Sequence, residues 1–294
     1  MKKAVFSILF AAFVFSTLEV AGKLISGQLN AFQVTFVRFF IGAIVLLPFA
    51  IRDMKKRELV LKKDDFVFLL IEGILCIPVS MALLQLSVYF TKASTAAVVM
   101  STNPIFMIVF SYFILNERIN KRTAVSIFIS FAGVLFIFNP LKLSYDIKGM
   151  LIALAAAVTF SLYSVLSKKR ISVYGGYIFN FFSFLFGDVV LLILLLIFRV
   201  PILNGITIKN IPVLIYMGIF ITGLGYIFYL YAIEKMSAAI SSFVFLIKPA
   251  IAPLLSVLIL KEQISSNVIL GIMLIILGTI FAFGDKMRWL YNKH

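Results

Sequence analysis

The chain has 294 residues, 63% of them hydrophobic and 13% charged, with a mean hydropathy of +1.12. A soluble domain carries about 25% charged and 45–50% apolar residues, so a chain of this size cannot enclose so much apolar surface, and the bilayer is its expected solvent. The net charge of +15, from 27 basic and 12 acidic residues, falls mostly in short connections between apolar runs, which is the pattern of membrane topology rather than of a nucleic-acid footprint.

Runs of about 20 apolar residues mark membrane spans. In chain order they predict helices near 4–25, 32–51, 66–90, 94–115, 122–139, 148–168, 176–198, 211–233, 237–260 and 266–284. The first span follows Lys2 and Lys3, as a secretory leader would, but no convincing small-residue cleavage site succeeds it, and it is read as a helix. Connections are short except 52–65, RDMKKRELVLKKDD. Basic runs such as Lys55-Lys56-Arg57 and Lys168-Lys169-Arg170 fall on one side. The other side holds isolated cations such as Lys92, Lys142, Arg199 and Lys209. This bias predicts a multi-pass protein of the cell inner (plasma) membrane with both termini cytoplasmic.

Enzyme chemistry has little to work with. Cys76 is the one cysteine and His294 the one histidine, and there is no GxSxG or glycine-rich phosphate loop. The expectation is no catalytic residue, no metal and no cofactor.

Displaced by 145 positions, the sequence falls on itself without a gap. Lys23 meets Lys168, Gly42 meets Gly187, Gly73 meets Gly218, Pro104 meets Pro249, Glu117 meets Glu262 and Gly133 meets Gly278. FFIGAIVLL from Phe39 meets FLFGDVVLL from Phe184. The expected fold is all-α and integral to the membrane: ten transmembrane helices in two units, 1–145 and 146–294. Five helices per unit turn the second copy over, the inverted repeat that underlies many secondary transporters.

Each half also carries a Lys closing its first helix, an Ala/Ser-rich start to its fourth, a mid-helix Pro and a closing Leu-x-Glu. These read Lys23, KASTAAVV, Pro104 and LNER, then Lys168, KMSAAISS, Pro249 and LKEQ. In these features the chain resembles, over essentially its whole length, the drug/metabolite transporter superfamily in its ten-helix EamA group. The resemblance implies a basket of helices around a cavity lined mainly by helices 1, 3, 4, 6, 8 and 9. It also implies transport of organic solutes such as amino acids or nucleotide-related metabolites.

Broken symmetry points to the site. Glu19 stands opposite Ser164, Arg38 opposite Ser183, Glu72 opposite Met217, Asp188 opposite Ala43 and Lys248 opposite Asn103. A charge within a span costs roughly 2.5–3.5 kcal/mol and usually pairs or lines a cavity. Lys248, beside Pro249, either holds an anionic group of a substrate or forms a structural ion pair with Asp188. Glu19 and Arg38 either pair across the first two helices, Glu19 also standing i,i+4 to Lys23, or Glu19 carries a proton. Glu72 is placed near the inner interface, snorkelling or capping. The matched Lys23, Lys168, Glu117 and Glu262 are expected as interfacial anchors and helix-end charges.

Tyr163, Tyr226 and Tyr229 add buried hydroxyls. Phe15 and Phe160 are repeat partners that suit an amphipathic wall, and Asn103 and Gln85 complete the substrate-binding set. The expected partners are a small-molecule substrate and the lipid bilayer, with proton coupling as one role for Glu19 and with no nucleic acid. The expected function is secondary transport of a small metabolite with an anionic group, an amino acid or related solute, by alternating access. An exporter of cationic or amphipathic drugs and a non-transporting membrane assembly factor compete with it.

Overall fold

The computed structural model describes residues 2–116, 121–138, 147–235 and 244–291. Among them the chain forms ten helical passes and no strand. α1 is Lys2–Ser16 continued by Leu18–Leu24, and α2 is Ala31–Arg57. α3 joins Lys63–Ile74, a π-helical Leu75–Met81 and Ala82–Phe90, and α4 joins Ala93–Met100 to Asn103–Leu115. α5 is Lys121–Phe138, α6 Ile147–Tyr174 and α7 Gly176–Ile197. α8 joins Ile211–Tyr216, a π-helical Met217–Gly225 and Tyr226–Lys235, followed by α9, Val244–Leu260, and α10, Ser266–Tyr291. Glu117, Arg118, Lys142, most of KMSAAISS and His294 lie outside the described residues.

Seven of these passes are long and apolar enough to cross a membrane, and Ile251–Leu260 and Ser266–Gly278 are shorter apolar segments. The outer surface carries large apolar side chains such as Phe113, Phe128 and Phe198. Such a face is stable against hydrocarbon, where every backbone group must be bonded within the helix. The chain is an all-α membrane protein.

Three helices overrun their expected ends, α10 among them, which runs past residue 284 to Tyr291. α2 continues through Arg52–Arg57, where Lys55, Lys56 and Arg57 occupy the last turn. Cations suit the partial negative charge of that helix end. α6 likewise runs past residue 168 to Tyr174. Apolarity marks where the hydrocarbon stops, not where the helix does.

Several contacts recur at the 145-residue offset. The Lys23 ammonium donates to the Val88 carbonyl at 2.7 Å, and the Lys168 ammonium donates to the Ile233 carbonyl at 2.5 Å. Both lysines thereby bond carbonyls at the C-terminal end of the third helix of their own half, where a cation is favoured. Asn116 and Lys261, just after α4 and α9, both have left-handed backbones. The third helix of each half contains its π-helical stretch.

Between the halves, α3 crosses α7 at Gly73 and Gly187. A Cβ on Gly73 would overlap the Ser183 carbonyl oxygen, and one on Gly187 would overlap the Gly73 carbonyl. Their repeat partners, Gly218 and Gly42, lie at the crossing of α8 and α2, where a Cβ on Gly42 would stand 2.7 Å from the Thr222 methyl. The family-type motifs also interlock across halves. The Glu262 carboxylate after α9 accepts from the Ala93 and Ser94 N–H groups at 2.8 and 3.1 Å and from the Ser94 hydroxyl at 2.6 Å. It therefore caps α4, a sharper role than a general helix-end charge.

Candidate functional site

Three helices deviate from regularity around one buried charge pair. α1 breaks at Thr17, whose hydroxyl donates to the Val14 carbonyl at 2.7 Å. The break stands two residues before Glu19. α4 breaks at Ser101 and Thr102, just before Asn103 and Pro104. α9 carries Pro249 and Pro253 within the helix, and Pro249 removes a backbone donor directly after Lys248.

The Lys248 ammonium donates to Glu19 Oε1 at 2.5 Å, and the side chains are 2% and 0% exposed. The structural pairing expected for Lys248 with Asp188 is therefore not formed. α9 packs on α1, so the carboxylate that reaches Lys248 comes from the first helix. The second oxygen, Glu19 Oε2, has no hydrogen-bond partner among the described residues. The pair leaves one acceptor open beside the ammonium that the other oxygen holds. At the repeat-related positions stand Ser164 and Asn103, uncharged. The Tyr229 hydroxyl bonds Ser164 at 3.0 Å, and both Asn103 side-chain polar atoms are buried without a partner among the described residues.

An aromatic cluster fills the same core. Phe15 contacts Tyr226 and Tyr229 at ring separations of 5.3 and 5.8 Å, and Phe160 contacts Tyr229 at 5.9 Å and Tyr163 at 5.6 Å. Phe245, one turn before Lys248, touches Phe15, Phe160 and Tyr229. Phe15, Phe160, Tyr163, Tyr226 and Tyr229 are thus brought together in one packed cluster, and Phe245 joins a set that sequence reasoning left it out of. Its repeat partner, Met100, gave no aromatic match to notice. Gln85 packs on α1 instead, its amide 3.5 Å from the Gly22 carbonyl, one turn beyond Glu19.

Arg38 is fully buried and forms no direct ion pair among the described residues. It donates to the Thr222 hydroxyl at 3.3 Å, and its guanidinium lies over the Phe39 ring at 4.5 Å. The expected Arg38–Glu19 pair is replaced by Lys248–Glu19, because α2 turns Arg38 toward the π-helical part of α8. Asp188 borders a crevice between α2 and α7, with both carboxylate oxygens sealed from its apolar surface.

Glu72 corrects the expectation most. It is 0% exposed, with neither carboxylate oxygen hydrogen-bonded among the described residues, so it neither snorkels nor caps there. It sits beside Gly73, where α3 and α7 come closest, and that crossing shuts it away from the interface. Its mismatch with Met217 was the available signal. Among the described residues no group of three His, Cys, Asp or Glu side chains is arranged to hold a metal.

Known proteins align with this architecture. A protein named "uncharacterized transporter" from Clostridium kluyveri is 50% identical over 296 residues, covering 98% of this chain and 95% of that one. An S-adenosylmethionine uptake transporter from Rickettsia prowazekii is 28% identical over 151 residues, about half of each chain at 51% and 50%. A solved crystal structure superposes with a TM-score of 0.69 at 20% identity, over 96% of this chain and 97% of that one, a likeness of fold. The EamA-like transporter family matches residues 2–139 and again 147–284. With both segments matched and a relative identical at half of its positions, the chain belongs to the EamA-like transporter family.

Proposed function

We propose that the chain is a secondary transporter that carries a small organic solute with an anionic group by alternating access. The halves 1–145 and 146–294 are inverted copies that rock about the core, and both termini face the cytoplasm across the cell inner membrane. The observation that carries this reading is the buried Lys248–Glu19 pair, set among helix breaks and an aromatic cluster. A desolvated ion pair contributes little net stability, and losing one partner leaves an uncompensated charge. A solute carboxylate or phosphate can replace Glu19 on Lys248, and the site then holds one anion more than before, a buried charge that must be neutralised. The released Glu19 then takes a proton or a cationic group of the solute, which couples the two movements.

Tyr163, Tyr226, Tyr229 and Asn103 supply hydrogen bonds around that position, and Phe15, Phe160 and Phe245 supply the apolar wall. The Rickettsia relative is named for S-adenosylmethionine, a solute that bears a carboxylate beside an ammonium and a sulfonium, which suits a site offering Lys248 to the anion and Glu19 to a cation.

The test starts with a metabolite screen by thermal shift on the purified protein, since ligands raise the stability of the folded state by mass action. An anionic hit is then followed into proteoliposomes. Uptake by the wild type and its loss in Lys248→Ala, with the variant still folded and monodisperse, is the expected result. Unchanged uptake in Lys248→Ala removes this residue from the site.

A further inference from the structure

A cavity of about 700 Å³ opens at one end of the molecule between α1, α2, α7 and α8, two helices from each half. Its lining has two levels. At the lip stand Lys3 in the first turn of α1, Arg57 in the last turn of α2 and Lys235 in the last turn of α8. Phe6 on α1, and Phe228 and Tyr231 on α8, follow one to two turns inward. The Phe6 and Phe228 rings meet edge to face at 5.9 Å. Phe6 is 59% exposed, so this lower level opens sideways through the outer wall.

Two carboxylates share the lip, and both are taken. Asp53 holds Arg57 at 3.0 Å and Glu234 holds Lys235 at 2.8 Å. Lys3 has no ion pair among the described residues, which leaves the lip with one positive charge in excess. The repeat shows what is unusual here. Moved by 145 positions, Lys3 meets Lys148, but Arg57 meets Ile202 and Lys235 meets Phe90. The Lys148 ammonium rests over the Phe90 ring at 4.3 Å, a cation–π contact. In the cavity a second cation, Lys235, takes the place of that ring, and Lys3 shares the lip with like charge. Cations suit the closing turns of α2 and α8, whereas a cation in the opening turn of α1 is set against the helix dipole. An anion between the three offsets both effects.

We propose that this cavity is a binding site for an anionic phospholipid. The phosphate lies among Lys3, Arg57 and Lys235, and an acyl chain runs down over Phe6 and Phe228. Charge at the lip with aromatic rings below it follows the order of headgroup and chain along a lipid, and basic residues at the membrane edge attract anionic headgroups. A free phosphate uses the lip alone and leaves the exposed aromatic level uncovered. The site goes beyond the transport reading, since its ligand is a resident lipid and none of its walls belongs to the Lys248–Glu19 centre. A lipid held there touches α1 and α2 of one half and α7 and α8 of the other, and so ties the halves together at that end.

The test uses the purified full chain in a neutral detergent and native mass spectrometry of its lipid adducts. Phosphatidylglycerol is compared with phosphatidylcholine of the same acyl chains, and glycerol 3-phosphate is the anionic probe without a chain. The wild type is expected to bind phosphatidylglycerol saturably, at least about tenfold more tightly than phosphatidylcholine, and to keep it in excess glycerol 3-phosphate. Lys3→Gln, which disturbs no ion pair, weakens binding about fivefold, the effect of one cation on an anionic lipid, and Lys3→Arg preserves it. Lys55→Gln/Lys56→Gln removes two charges from the last turn of α2 without touching the cavity wall, and leaves binding unchanged. Equal binding of the two phospholipids overturns the proposal, as does displacement by glycerol 3-phosphate. So does a Lys3→Gln variant that binds like the wild type, or one that loses no more than Lys55→Gln/Lys56→Gln.

Discussion

Lys248 Nζ stands 2.5 Å from Glu19 Oε1 with both side chains sealed from the surroundings, while the repeat-related positions hold the uncharged Asn103 and Ser164. Each half of the molecule supplies one member of the charge pair and keeps the position matching the other member in neutral form. Breaking a buried pair costs about 3–5 kcal/mol, whereas replacing both members by apolar residues is often neutral. Lys248→Met and Glu19→Met are each expected to lose stability in that range. The double variant recovers most of it, as a double-mutant cycle on thermal unfolding in detergent would read. Strictly additive losses would show that the two residues are not coupled.

The crossing of α3 and α7 tolerates no side chain. Gly73→Ala drives a methyl into the Ser183 carbonyl, and Gly187→Ala drives one into the Gly73 carbonyl. Each is expected to cost about 1–3 kcal/mol through overpacking. The double variant costs less than the sum, since the helices separate once. Gly27→Ala, with nothing within 4 Å of the added methyl, is the control and should leave the melting temperature unchanged.

Glu262 caps α4 from the other half through two backbone N–H groups and the Ser94 hydroxyl. Glu262→Ala is expected to cost about 1–2 kcal/mol. Glu262→Gln costs less, since it keeps one acceptor oxygen. Hydrogen exchange should locate the loss at the Ala93 and Ser94 amides; a uniform increase along the chain would argue against capping.

Glu72 hides a carboxyl with no bonded partner among the described residues. Leaving a buried polar group unsatisfied costs about 1–3 kcal/mol, so Glu72→Leu is expected to raise thermal stability by a similar amount. A fall instead would reveal a partner for this carboxyl in the folded protein.

The membrane class, the ten passes and the offset of 145 were all legible in the residues. Apolar runs and Gly, Pro, Lys and Glu recurring at constant spacing are local properties of the chain. The candidate charges were legible too, because each stood out against an unlike repeat partner. Their partners were not. Lys248 was placed with Asp188 on the ground of similar depth, yet depth gives one coordinate of three. Azimuth around each helix decides which carboxylate an ammonium meets, and α9 turns Lys248 toward α1 while α7 turns Asp188 toward α2. Glu72 was misplaced for the same reason: its position along α3 suggested the interface, and the glycine crossing beside it closed that route.

By itself, then, the sequence determined the solvent, the number of passes and their duplication, because hydrophobic length and repeat spacing are written in order along one dimension. Only the tertiary structure decided which buried charges meet and which stand apart. Those outcomes depend on how helices rotate and cross when backbones meet at Gly73 and Gly187, and side-chain packing sets that rotation across residues far apart in the chain.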